Sequence, residues 1–205
     1  MDWKGQLPLI AILRGITPAQ IEAHVDTLID AGMHLIEIPT NSPDWLRSVE
    51  LAVARAGDRA IIGAGTVLTE ADVDALAATG AKLMVTPNTN AAVIRRAVAK
   101  ELVSAVGFST PSEAFAALAA GAQALKLFPA SSFGPGYVRA IKAVLPPSVP
   151  LFAVGGVTPA NLGDYLKAGC IGAGLGSDLY AAGQAPSITR ERADLFVNAY
   201  QSFRP

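Results

Sequence analysis

The stretch Ala120-Gly121-Ala122-Gln123-Ala124-Leu125-Lys126-Leu127-Phe128-Pro129 decides the fold. Gly121 suits the left-handed residue that closes a helix. Ala124 to Pro129 then forms a short apolar run, the length of a strand. Period-two alternation sets Ala124, Lys126 and Phe128 on one face and Leu125 and Leu127 on the other. An ammonium in such a run is costly to bury unless it is paired or deprotonated. A second run, Leu35-Ile36-Glu37-Ile38-Pro39, carries a lone carboxylate in the same way. There the parity opposes Leu35, Glu37 and Pro39 to Ile36 and Ile38, two branched side chains suited to packing on helices.

Working outward, the helix-end signal recurs. Ala31-Gly32, Thr79-Gly80, Ala120-Gly121 and Ala168-Gly169 each precede an apolar run. The runs start at Pro8, Met33, Ile61, Leu83, Leu102, Ala124, Leu151 and Ile171, and alanine-rich amphipathic stretches separate them. Helix starts are signalled by Thr17-Pro18, Ser42-Pro43, Thr110-Pro111 and Thr158-Pro159, a capping hydroxyl before proline. Further helices are expected from Thr69, Asn90, Gly134 and Ile188. This is a βα repeat of about 25 residues. Eight units predict a single (β/α)8 TIM barrel over residues 1–205, compact and with short loops. A doubly wound open sheet is the alternative. In a barrel, polar residues at the C-terminal strand ends are the functional candidates.

Composition narrows the function. The chain is 51% hydrophobic and 16% charged, with a net charge of −1. No basic field recruits nucleic acid or a membrane surface. No apolar stretch approaches the ~18 residues of a membrane span, and residues 1–9 do not read as a signal peptide. One cysteine, Cys170, excludes an internal disulfide framework and fits a cytoplasmic setting. Two histidines, His24 and His34, make a histidine-rich metal site unexpected, and no metal or other cofactor is expected.

Lys126 is the leading candidate, either as a structural lysine paired in the barrel or as an amine whose lowered proton affinity suits imine formation with a ketone. Glu37 is either its structural partner or a proton shuttle beside it. Arg14, at the end of the first run, is either a clamp for a carboxylate ligand or an ion-pair partner of Glu37. In Gly63-Ala64-Gly65-Thr66-Val67, Thr66 offers a hydroxyl and the glycines allow close approach or a tight turn. Gly155-Gly156 and Gly172-Ala173-Gly174-Leu175-Gly176-Ser177 follow the seventh and eighth runs, where barrels often bind phosphate on loop N–H groups and a short helix N-terminus. Asp72 and Asp74 read as solvated helix residues, Asp178 as a helix-start charge, and Trp45 as a packing residue.

These motifs resemble the class I 2-keto-3-deoxy-6-phosphogluconate/6-phosphogalactonate aldolases over essentially the whole chain. The matching stretches are Ile36-Glu37-Ile38, Gly63-Ala64-Gly65-Thr66-Val67, Val85-Thr86-Pro87, Ser109-Thr110-Pro111-Ser112-Glu113, Lys126-Leu127-Phe128-Pro129-Ala130 and Gly155-Gly156. The resemblance implies a Schiff base on Lys126, with Glu37 as general acid/base. It implies that Arg14 and Thr66 hold the substrate's carboxylate end, that Gly155, Gly156, Gly176 and Ser177 bind phosphate, and that the enzyme is a homotrimer. The gluconate enzymes typically read Glu-Val-Thr-Leu-Arg-Thr around the acid and carry threonine before the Gly-Gly pair. Here the first segment is Glu37-Ile38-Pro39-Thr40-Asn41-Ser42 and the second position is Val154. Both departures resemble the galactonate branch, which differs in configuration at C4, and Val154 joins the substrate-binding candidates. Asn88 and Val106 also depart, from glycine and proline. Readings on other grounds are a phosphosugar isomerase or epimerase and a non-catalytic sugar-phosphate-binding barrel.

Overall fold

Eight parallel strands close into a barrel in chain order in the computed structural model, which describes residue 3 and residues 6–203. The strands are β1 (Leu9–Ile12), β2 (Leu35–Pro39), β3 (Ile61–Gly65), β4 (Leu83–Val85), β5 (Val103–Phe108), β6 (Ala124–Leu127), β7 (Leu151–Val154) and β8 (Gly172–Leu175). The helices between and after them are α1 (Ile21–Asp30), α2 (Trp45–Ala56), α3 (Glu70–Ala78), α4 (Ala91–Ala99), α5 (Pro111–Ala119), α6 (Ala130–Lys142), α7 (Leu162–Ala168) and α8 (Pro186–Gln201). Closure comes from β1 pairing with β8, with Ile10 opposite Gly174, which excludes the open doubly wound sheet.

Two hydrophobic clusters follow from strand parity. Leu125 and Leu127 join Ile36, Ile38 and the helix faces in the layer between barrel and helices. Ala124 joins Ile10, Leu35, Leu83 and Phe152 inside the barrel. Trp3 packs edge-on against Phe152, with ring centroids 5.2 Å apart. The inner cluster runs from Leu35, Leu83 and Ala124 at the strand starts to Ile12, Val85 and Val154 at the strand ends. Its floor supports the polar side chains above it.

Several helix starts differ from the sequence reading. Thr110 and Thr69 cap α5 and α3 as expected, each in a capping box, with Glu113 and Asp72 as the returning acids. Thr17 and Ser42 cap nothing, and Thr158 accepts the Asn161 N–H at 3.3 Å only in the turn before the helix: α1, α2 and α7 begin after Gln20, Asp44 and Asn161. In each case a turn precedes the helix, and the hydroxyl is used within the loops, as in the Thr17 bond to Gln20 and the Gly15 bond to Ser42. α6 starts at Ala130 and is interrupted at Gly134, where φ is 72°, so the expected start at Gly134 is a kink. Asp74 is solvent-accessible, as read, and also pairs at the surface with Arg96 and Lys100 at 2.9 and 3.3 Å. Trp45 packs on the outer layer as expected.

Candidate active site

The C-terminal strand ends surround a cavity of about 490 Å³. Arg14, Glu37, Thr66, Lys126, Val154, Gly155, Gly156, Gly176 and Ser177 all line it, so residues spread from 14 to 177 converge on one space. The sequence reading did not single out Ile12, Pro87 and Val157 among the lining residues. Strand alternation applied to β1 would have found Ile12, which shares the inward face with Ile10.

Lys126 is the third residue of β6 and only 6% exposed. Its Nζ lies 5.0 Å from the centroid of the Phe128 ring. Burial pulls the ammonium down to about 8, the Arg14 charge acts in the same direction, and Glu37 opposes both. Glu37 is 2% exposed, in the middle of β2. Burial pushes its carboxyl up to about 7, against the pull of Lys126, Arg14 and the Gly65 backbone. Its Oε2 is buried with no hydrogen-bond partner among the described residues. None of the ion pairs among those residues engages Glu37 or Lys126. Acid and amine therefore line one cavity, both deeply buried and each pushed towards its neutral form.

Gly65 makes this arrangement possible. A Cβ at that position would stand 2.0 Å from Glu37 Oε2, so any side chain would expel the carboxylate. Thr66 follows in the left-handed region, with φ 56°, and turns the chain over the cavity.

Arg14 lies two residues beyond β1, in a turn rather than in the strand. It is exposed, and its Nη1 donates to Asn41 Oδ1. The expected alternative, an ion pair with Glu37, is absent. Instead the guanidinium stands over the mouth.

The two glycine loops face each other. Gly155 and Gly156 have φ of 96° and 73°, which favour glycine, and a Cβ on Gly156 would meet the Ser131 Cβ at 2.6 Å. The N–H groups of Gly156, Val157, Ser177 and Asp178 donate to no acceptor among the described residues, and all four residues line the cavity. Together they form a concave set of donors suited to an anion. The segment after β8 is a single turn over Ser177–Leu179, not the expected helix start, so Asp178 caps no helix.

Other candidates are structural. Burial lowers the His24 pKa; its ring bonds Thr189 Oγ1 and the Gln184 carbonyl, both at 3.1 Å. His34 Nδ1 lies 2.8 Å from the Arg59 carbonyl. The Cys170 thiol is buried and pushed up to about 12. Thr86 and Glu113, which carry two of the motifs, hold loops: the Gly107 N–H donates to Thr86 Oγ1, and the Ser109 and Thr110 N–H groups donate to Glu113 Oε2. Among the described residues, no group of three or more His, Cys, Asp or Glu could hold a metal ion, and no helix is long and apolar enough to cross a membrane.

Fold and cavity define a (β/α)8-barrel enzyme with its site at the C-terminal strand ends. A family model for KDPG and KHG aldolases matches residues 4–192, and the chain belongs to that family. It is an aldolase, a carbon–carbon lyase. The 2-dehydro-3-deoxy-6-phosphogalactonate aldolase of Escherichia coli K12 is 57% identical to it over 98% of each chain. A solved structure described as native KDPGal is also 57% identical, covers 98% of each chain and superposes with a TM-score of 0.96. A chain of a cube-shaped, highly porous protein cage, designed by fusing symmetric oligomeric domains, is 58% identical over 96% of this chain and 73% of its own, with a TM-score of 0.95.

Proposed function

We propose that the protein cleaves 2-dehydro-3-deoxy-6-phosphogalactonate to pyruvate and D-glyceraldehyde 3-phosphate through an imine on Lys126. The observation that carries this reading is the buried, unpaired lysine and carboxylate in one cavity, both shifted towards neutrality. Neutral Lys126 attacks the C2 ketone, and Glu37, directly or through water, moves the protons as the carbinolamine loses water. The protonated imine then accepts the electron pair of the C3–C4 bond as Glu37 removes the C4 hydroxyl proton. Glyceraldehyde 3-phosphate leaves, the enamine takes a proton at C3, and hydrolysis of the imine releases pyruvate and the free amine.

Arg14 and Thr66 hold the carboxylate beside C2. Gly155, Gly156, Gly176 and Ser177 bind the phosphate at the far end, where the unpaired N–H groups lie. Binding energy at both ends orients the bond that breaks. Val154, 4% exposed and in contact range of Gly174, presents methyl groups to the middle of the substrate. That apolar contact and Asn41 favour the galactonate epimer over the gluconate one, in keeping with the 57% identical relative. The working form is a cytoplasmic homotrimer; the related chain in the oligomer-based cage supports an oligomer.

Incubation with pyruvate, borohydride reduction and peptide mass spectrometry test the imine. The adduct is expected on Lys126, and an unmodified Lys126 peptide with activity surviving Lys126→Ala would sink the mechanism. Cleavage of the two C4 epimers by pure enzyme tests the sugar; faster cleavage of the gluconate epimer overturns the choice.

A further inference from the structure

We propose that Thr40, Asn41 and Ser42, three consecutive residues after β2, are positioning residues that hold Arg14 and Thr66 ready for the substrate carboxylate. The proposal rests on the reading of those two residues as the carboxylate-binding pair. The Ser42 N–H donates to the Pro39 carbonyl at 2.9 Å, so the three residues belong to one tight turn. Each side chain of the turn holds a different neighbour.

Thr40 Oγ1 donates to the Thr66 carbonyl at 2.7 Å, and the Thr40 N–H donates to the Gly65 carbonyl at 2.8 Å. Thr66 has φ 56°, which a β-branched residue rarely adopts without outside support. The two bonds from Thr40 supply that support. Asn41 Oδ1 accepts from Arg14 Nη1. Ser42 Oγ, on a buried residue, accepts the Gly15 N–H at 2.9 Å, so the backbone just after Arg14 is held too. Arg14 is thus held at its base by Ser42 and at its head by Asn41. Its guanidinium has five N–H donors. One bond to Asn41 leaves the others for a carboxylate, and an arginine already ordered loses less freedom on binding. Ser42 is free for this role because it caps no helix: Asp44 stands at the start of α2.

The test compares two ketones in borohydride trapping: pyruvate, and hydroxyacetone as a neutral ketone of similar size. Asn41→Ala and Thr40→Val are each expected to slow pyruvate trapping about tenfold below saturation, while hydroxyacetone trapping changes less than about twofold. In an Arg14→Ala background, Asn41→Ala should add nothing further. Equal slowing with both ketones would assign the turn a general structural role and overturn the proposal. An additive loss in the double variant would overturn the link between Asn41 and Arg14. A wild-type chain that traps neither ketone on Lys126 removes the functional reading, and this proposal with it. Pyruvate-selective trapping by wild type with unaltered variants removes the positioning proposal alone.

Discussion

Lys126 and Glu37 each pay for their burial in stability, and the sign of the effect can be worked out. The Lys126 pKa is depressed to about 8 in the fold, so its contribution to stability is full above the unfolded lysine pKa and falls as pH drops through about 8. The Glu37 pKa is raised to about 7, so its contribution is full below the unfolded carboxyl pKa and falls as pH rises through about 7. Between these values both penalties are present. Lys126→Met should therefore raise stability near pH 7 by on the order of 2 kcal/mol, after the lost attraction to Glu37 is deducted. Thermal melting checks this, and the gain should shrink towards pH 10. The same shift predicts that pyruvate trapping climbs between about pH 6 and 9 and then levels off; a rate still rising steeply above about pH 10 would mean an ordinary lysine. Gly65→Ala carries the opposite sign. Its methyl would occupy the space of the Glu37 carboxylate, so turnover should fall by at least about a hundredfold. Near-normal turnover in that variant would show that Glu37 tolerates displacement.

At the level of elements, helix caps separate local from non-local information. Thr110-Pro111 and Ser42-Pro43 look alike in the chain, yet only the first opens a helix directly. The difference is Glu113, three residues after Thr110, which returns to the Thr110 N–H and closes the box. Asp72 does the same for Thr69. Ser42 has no such partner, and its hydroxyl goes to Gly15 in a neighbouring loop. Ser109 links the α5 cap to the segment that follows β6, since its hydroxyl donates to the Phe128 carbonyl at 2.8 Å. Thr110→Ala should cost about 1 kcal/mol in chemical denaturation. Ser42→Ala should not behave as a lost cap, because α2 starts without it.

For the whole molecule, barrel closure converts eight separate strand ends into one cavity. Large apolar side chains stay exposed around the barrel, among them Phe115 on α5, Leu195 on α8 and Val144 in the turn after α6. Light scattering is expected to give a mass about three times the 21.1 kDa chain. A mass of one chain would remove the proposed trimer.

Much of this protein was legible without coordinates, because its signals are local. The βα period, the closing glycines and strand parity are set by neighbours a few residues apart, and parity alone turns Lys126 and Glu37 to the barrel interior while Leu125 and Ile36 face the helices. The depth of burial was not legible. It depends on what the other strands bring, such as the missing side chain at Gly65 that admits the Glu37 carboxylate. Nor was the partner of Arg14, which an exposed loop could have turned towards Glu37 and which Asn41 holds at the mouth instead. Hydrogen-bond partners 27 residues apart are decided by how adjacent loops meet after the barrel closes, and no short stretch of chain carries that geometry.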